Sequence, residues 1–139
     1  MNDQRARQAV SKFSTALANL EEEIRTYGGD KKSRNSVLLC FVLAFETVWK
    51  ALKFILFTQE GVEAPSPKET LRQAYALGWL GSDDTVWLAM ADDRNLVAHT
   101  YSEQQAAVIY THVLNYSQAL RALHTHLQQR YSHLFESAG

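Results

Sequence analysis

Apolar positions recur every three or four residues along this 139-residue chain, with charged and polar side chains between them. Val10, Phe13, Leu17, Leu20 and Ile24 predict an amphipathic helix from Asp3 to about Tyr27, stopped by Gly28 and Gly29. The polar run Asp30 to Asn35 reads as a loop, and Ser36 as the N-cap of a second helix, Val37 to Gln59. That helix is apolar nearly all round from Val37 to Phe45, so it is expected at the centre of the fold. Its length approaches that of a membrane span, but Glu46, Lys50 and Lys53 interrupt the apolar run where charge is costly in a bilayer.

Ser66 and Pro67 fit the cap and first position of a short third helix lined by Leu71, Ala74, Tyr75 and Leu77 and closed by Gly78. Ser82 or Asp83 is expected to cap a fourth, with Val86, Trp87, Met90 and Leu96 on its buried side. A final helix from Glu103 to Tyr131 carries the stripe Ala106, Ile109, Val113, Tyr116, Leu120, Leu123 and Leu127. No strand pattern or internal repeat competes. The expectation is an all-α, antiparallel up-and-down bundle of about five helices, forming one domain over residues 1–139.

Composition narrows this picture. Hydrophobic residues at 46% and charged residues at 21% exclude a disordered chain. Fourteen Lys and Arg against fifteen Asp and Glu leave a net charge of -1. That balance supplies no whole-protein field for nucleic acid or an acidic membrane, and argues against a tight, salt-sensitive grip on RNA. Cys40 has no second cysteine to pair with, and its apolar neighbours predict a buried thiol. The polar stretch Met1 to Val10 lacks the apolar core of a secretory leader, so a cytoplasmic location is expected.

Three groups of residues carry candidate chemistry. At the end of the fourth helix, Arg94, Asn95, His99 and Tyr101 would share an arc of roughly 160° if the helix persisted. Arginine offers a fixed fork of donors to phosphate, and histidine exchanges a proton near neutral pH. The same residues also suit an ordinary helix end, with His99 on the C-terminal dipole and Arg94 paired to Asp92 or Asp93. On the second helix, Glu46, Lys50 and Lys53 share a narrow face flanked by Phe45 and Trp49, which reads either as a cleft or as an intrahelical pair at the water edge. The basic cluster Lys31-Lys32-Ser33-Arg34 is expected to be solvated. His124, His126 and His133 lack the spacing of a helical metal pair, and no metal site or cofactor is expected. Neither a glycine-rich phosphate loop nor a nucleophile elbow is present.

Arg94-Asn95-Leu96-Val97-Ala98-His99-Thr100-Tyr101 resembles the R-x4-H-x-Y signature of the HEPN superfamily, in the branch paired with minimal nucleotidyltransferases. Phe45-Glu46-Thr47-Val48-Trp49-Lys50 is similar to the F-E-x-x-W-K motif of that branch's central helix, and Pro67 to Asp83 to its usual insertion. Ser102-Glu103 departs from the more usual Asp-Glu and leaves the three key positions intact.

The resemblance implies a homodimeric helical bundle whose partner is a minimal nucleotidyltransferase. It implies a metal-independent endoribonuclease toxin acting on RNA such as tRNA or mRNA, neutralised when the partner adenylylates Tyr101. His99 would then move the proton and Arg94 stabilise charge on phosphorus. Asn95 would orient His99 or the phosphate, Glu46 would pair with Arg94 across the helices, and Lys50 would add positive field. The same resemblance leaves open a non-catalytic subunit that presents substrate to the nucleotidyltransferase.

Overall fold

The computed structural model describes residues 3–81, 84–99 and 102–136, and all regular structure in them is helical. Five α-helices run α1 (Gln4–Arg25), α2 (Lys31–Glu60), α3 (Pro67–Ala76), α4 (Thr85–Ala98) and α5 (Glu103–Arg130), followed by a 3₁₀ turn, Ser132–Leu134. Polar contacts fix their directions. Gln59 Nε2 donates to Asp3 Oδ1 at 3.0 Å, so α1 and α2 are antiparallel. Arg34 reaches Glu103 at the start of α5, while the Tyr131 hydroxyl donates to Glu60 at the other end, so α2 and α5 run parallel. The four long helices therefore alternate up and down, with α3 inserted between α2 and α4.

The core follows the sequence stripes. Phe13, Leu17 and Leu20 of α1, Phe41, Phe45, Leu52 and Leu56 of α2, Trp87 and Met90 of α4, and the whole predicted stripe of α5 are buried. Phe41 stacks on Tyr116 with ring centroids 5.4 Å apart, joining the two parallel helices across the bundle.

Several local expectations need correction. The run Asp30 to Asn35 is not a loop, nor is Ser36 a cap: α2 begins at Lys31, capped by the Asp30 carboxylate, which accepts from Ser33 N at 3.0 Å. The basic cluster thus lies on helix, and Lys31 and Arg34 clamp Glu103 at 3.5 and 2.7 Å. Tyr75 and Leu77 are exposed because α3 lies at the margin and buries only Thr70, Leu71 and Ala74. Leu96 is likewise exposed, and Cys40 is only half-buried beside the exposed Leu39 and Leu43. Ser82 and Asp83 lie outside the described residues; Asp84 precedes α4 without capping it through its side chain. Other signals behave as read. Ser66 caps α3 ahead of Pro67, and Gly61 closes α2 at φ +68°, letting Val62 N donate back to Leu56 O.

His124 of α5 is buried between the rings of Phe13 and Phe135, with Nε2 2.8 Å from Ser14 Oγ and Nδ1 unpartnered. Burial, reinforced by the Arg121 charge, holds its pKa below the ordinary imidazole range. Unfolding therefore takes up a proton as the pH falls through about 6.5, and stability drops until the folded imidazole is protonated as well. Urea unfolding of the wild-type protein should lose stability between pH 7.5 and 5.5 more steeply than His124→Gln, which keeps a polar partner for Ser14. Equal slopes would remove His124 as the cause.

Candidate functional site

The end of α4 is held from two sides by consecutive residues. Asp93 faces α5, where Oδ2 accepts from the Tyr116 hydroxyl at 2.5 Å and lies 2.9 Å from His112 Nδ1. Burial and this bond to Asp93 push the Tyr116 phenol far above its ordinary range, so it remains a donor. Arg94, one residue on and about 100° round the helix, faces α2 instead. Its Nη2 pairs with Glu46 Oε1, its Nη1 donates to Asn95 Oδ1 at 3.0 Å, and its Nε is buried without a partner. Pairing of Arg94 with Asp92 or Asp93 is not made, because Asp92 goes to Lys68 at 3.2 Å and Asp93 to α5.

Glu46 is the hinge of this arrangement. One carboxylate oxygen takes Arg94 and the other accepts from Trp49 Nε1 at 3.4 Å. An open cleft of about 370 Å³ lies above the pair, lined by Phe45, Glu46, Trp49, Ala91, Arg94, Asn95 and the start of α3, Ser66 to Lys68. Those first residues of α3 were read from sequence only as a helix start. The signal for their place in the cleft was the length of the α2–α4 connection, which has to fold back over α2.

Not every expected residue converges. Arg94, Asn95 and Glu46 share the cleft, whereas Lys50 lines a neighbouring groove on the far side of Glu46. The helix does not persist as far as His99, the condition on which the shared arc depended. α4 ends at Ala98, and His99 is exposed in extended backbone at φ -112° and ψ -171°. The short link to α5 forces this exit, because Ser102 must itself be extended to cap α5, accepting from Gln105 N while the Gln105 side chain accepts from Ser102 N. His99 therefore stands outside the cleft of its own chain. Tyr101 lies outside the described residues.

Chemically, the cleft offers the Arg94 guanidinium, the Asn95 amide and the positive end of a capped helix, all suited to a phosphate oxygen, beside the Trp49 ring. Among the described residues no cluster of three or more metal-ligating side chains occurs, and no helix is long and apolar enough to cross a membrane.

A family model described as nucleotidyltransferase substrate binding protein like matches residues 8–129. The curated protein named "Probable ribonuclease HepT" from Haemophilus influenzae is 27% identical over 73 residues, 52% of this chain and 49% of that protein, so the chain spans about half the length of that relative. A crystal structure of a Thermus thermophilus protein is 32% identical, covers 84% of this chain and 98% of that one, and superposes with a TM-score of 0.78.

The geometry makes Glu46 the restraint on Arg94. Glu46→Gln should cost about 1 kcal/mol or less in urea unfolding, since both partners are about a quarter exposed. It should free the guanidinium, seen as faster solvent exchange of the Arg94 Nε–H signal in NMR. An Nε–H as slow as in the wild type would show that packing, not Glu46, holds the side chain.

Proposed function

Because this chain belongs to the nucleotidyltransferase substrate-binding-protein-like family, we propose that it is the toxin of a two-component system, a metal-independent endoribonuclease held in check by a partner nucleotidyltransferase. The observation that carries this reading is the aimed guanidinium of Arg94, five residues before an exposed imidazole at His99. The partial match to a protein named as a ribonuclease supports it.

The reaction needs little else. A ribose 2′-oxygen attacks the adjacent phosphorus, the 5′-oxygen leaves, and the products are a 2′,3′-cyclic phosphate and a free 5′-hydroxyl. His99 takes the 2′ proton or returns one to the leaving oxygen. Arg94 neutralises charge that builds on the phosphoryl oxygens, donating from the fork that Glu46 and Asn95 orient. Each chain carries one such histidine, which is not among the residues that line its own cleft. A homodimer that sets His99 of one protomer near Arg94 of its partner completes the acid, the base and the charge clamp in one place.

A second reading has its own support, the family description itself: a non-catalytic subunit that presents substrate to the nucleotidyltransferase. Purified wild-type protein should cut RNA equally in EDTA and in magnesium. His99→Ala and Arg94→Ala should each lower cleavage by at least about 100-fold, the usual scale of a lost proton carrier or charge clamp, with unchanged circular dichroism. Wild-type protein that leaves tRNA and mRNA intact in both buffers would favour the presenting subunit.

In this reading, regulation of the site acts through Tyr101. An adenylyl group on that phenol adds a phosphodiester charge that competes for Arg94 and a base that occupies space beside His99. Intact-mass analysis of protein co-expressed with its partner enzyme should show one AMP per chain, absent from Tyr101→Phe. An unmodified yet inhibited protein would instead mean inhibition by binding alone.

A further inference from the structure

Half of the fourteen Lys and Arg of this chain are spoken for. Arg25, Lys31, Arg34, Lys68, Arg72, Arg94 and Arg121 all sit within 4 Å of a carboxylate among the described residues. Arg5, Arg7, Lys12, Lys32, Lys50, Lys53 and Arg130 have no such partner among those residues, and of these Arg5, Lys12, Lys50 and Lys53 lie on one face. Two grooves connect them. The first, about 270 Å³, runs between α1 and α2 and is lined by Arg5, Gln8, Lys12, Lys50 and Phe54, with Glu46 as the wall it shares with the Arg94 cleft. The second, about 500 Å³, continues from Arg5 and Phe54 to Lys53, Phe57, Glu63 and Pro65. Glu46 and Glu63 also line these grooves, so four cations face two carboxylates there, although the whole chain carries a net charge of -1.

Aromatic rings alternate with these cations. The Lys53 ammonium lies 5.9 Å from the Trp49 ring centroid, the Arg5 guanidinium 5.9 Å from that of Phe54, and Phe57 is 48% exposed. Cations tracking a groove beside accessible rings are the physical requirements of a single-stranded nucleic acid site, in which phosphates take the charges and bases take the ring faces. A duplex keeps its bases stacked inside and has no use for the rings. An acidic protein surface would use the cations but would leave Trp49, Phe54 and Phe57 idle.

We infer that the α1–α2 face is a binding track for single-stranded RNA that leads into the Arg94 cleft, its phosphates held by Arg5, Lys12, Lys50 and Lys53 and its bases by Trp49 and Phe54. The inference rests on the ribonuclease reading for its substrate class, and its test is separate from cleavage. A labelled single-stranded oligouridylate is titrated into His99→Ala protein, which holds RNA without cutting it. Four phosphate contacts at a slope of about 0.7 each weaken binding about 50-fold between 50 and 200 mM salt. Replacing Arg5, Lys12, Lys50 and Lys53 together by Gln should abolish most of that salt dependence. No carboxylate loses a partner, so the fold should be intact by circular dichroism. Trp79 and Trp87 are buried at 3% and 2% exposure, so RNA-induced quenching of tryptophan fluorescence reports Trp49. It should appear with the single strand and be absent with a duplex of matched length.

Wild-type slope in the quadruple variant, or equal binding and quenching by the duplex, overturns the track. So does a variant that keeps its RNA affinity but no longer captures the nucleotidyltransferase, for then the face belongs to a protein partner. Binding through the face without any cleavage by the wild-type chain would sustain the track and sink the ribonuclease reading. Cleavage indifferent to all four substitutions would do the reverse.

Discussion

Everything in this fold leans on α2. A helix of 30 residues spans about 45 Å, and α1, α3, α4 and α5 all pack against it. An ordinary amphipathic helix buries one stripe. This one is surrounded on most sides, which is why its sequence is apolar nearly all round from Val37 to Phe45. Only one edge is left to solvent, and it reads Leu39, Leu43, Glu46, Lys50, Lys53 and Phe57 at alternating steps of four and three. Between Leu39 and Phe57 the charged residues of the central helix are therefore confined to a single line, and Glu46 sits on that line where α4 crosses it.

Because Glu46 cannot turn inward without burying a charge, its carboxylate has to be satisfied at the edge. Arg94 and the Trp49 indole satisfy it from either side. The pair is partly exposed, so its value lies less in stability than in direction. A guanidinium on a long flexible stem is held to one orientation by a carboxylate on the central helix of the bundle. The cost of that arrangement is partial neutralisation of the charge it aims.

The long periodic elements were readable from sequence because repetition averages out local ambiguity. Seven positions of α5 spaced three and four apart leave no competing interpretation, and the short α3 was found through Ser66 and Pro67, whose backbone chemistry is local. The start of α2 was misread because Asp30 lies next to two glycines and among charged residues, and its capping role is visible only once Ser33 N is seen to donate to it. Lys31 and Arg34 then looked solvated because their partner, Glu103, lies some seventy residues away. The site was legible to a comparable degree. The Glu46–Arg94 pairing was anticipated from motifs, whereas the sequence left open whether the helix continued through His99 or ended there, since the length of a helix depends on the turn that follows it. Exposure of Leu96 and Tyr75 escaped for a related reason: periodicity tells which residues share a face, not whether another element covers it.

The opposed bonds of Asp93 and Arg94 carry one more consequence. Neighbouring residues on α4 are anchored in different directions, one to α5 and the next to α2. Rotating α4 in either sense breaks both anchors at once, and tilting it strains one against the other. Such a helix behaves as a fixed strut rather than a lever. Load on the C-terminal end of α4 is accordingly shared between two neighbours in the bundle instead of turning the helix about its axis.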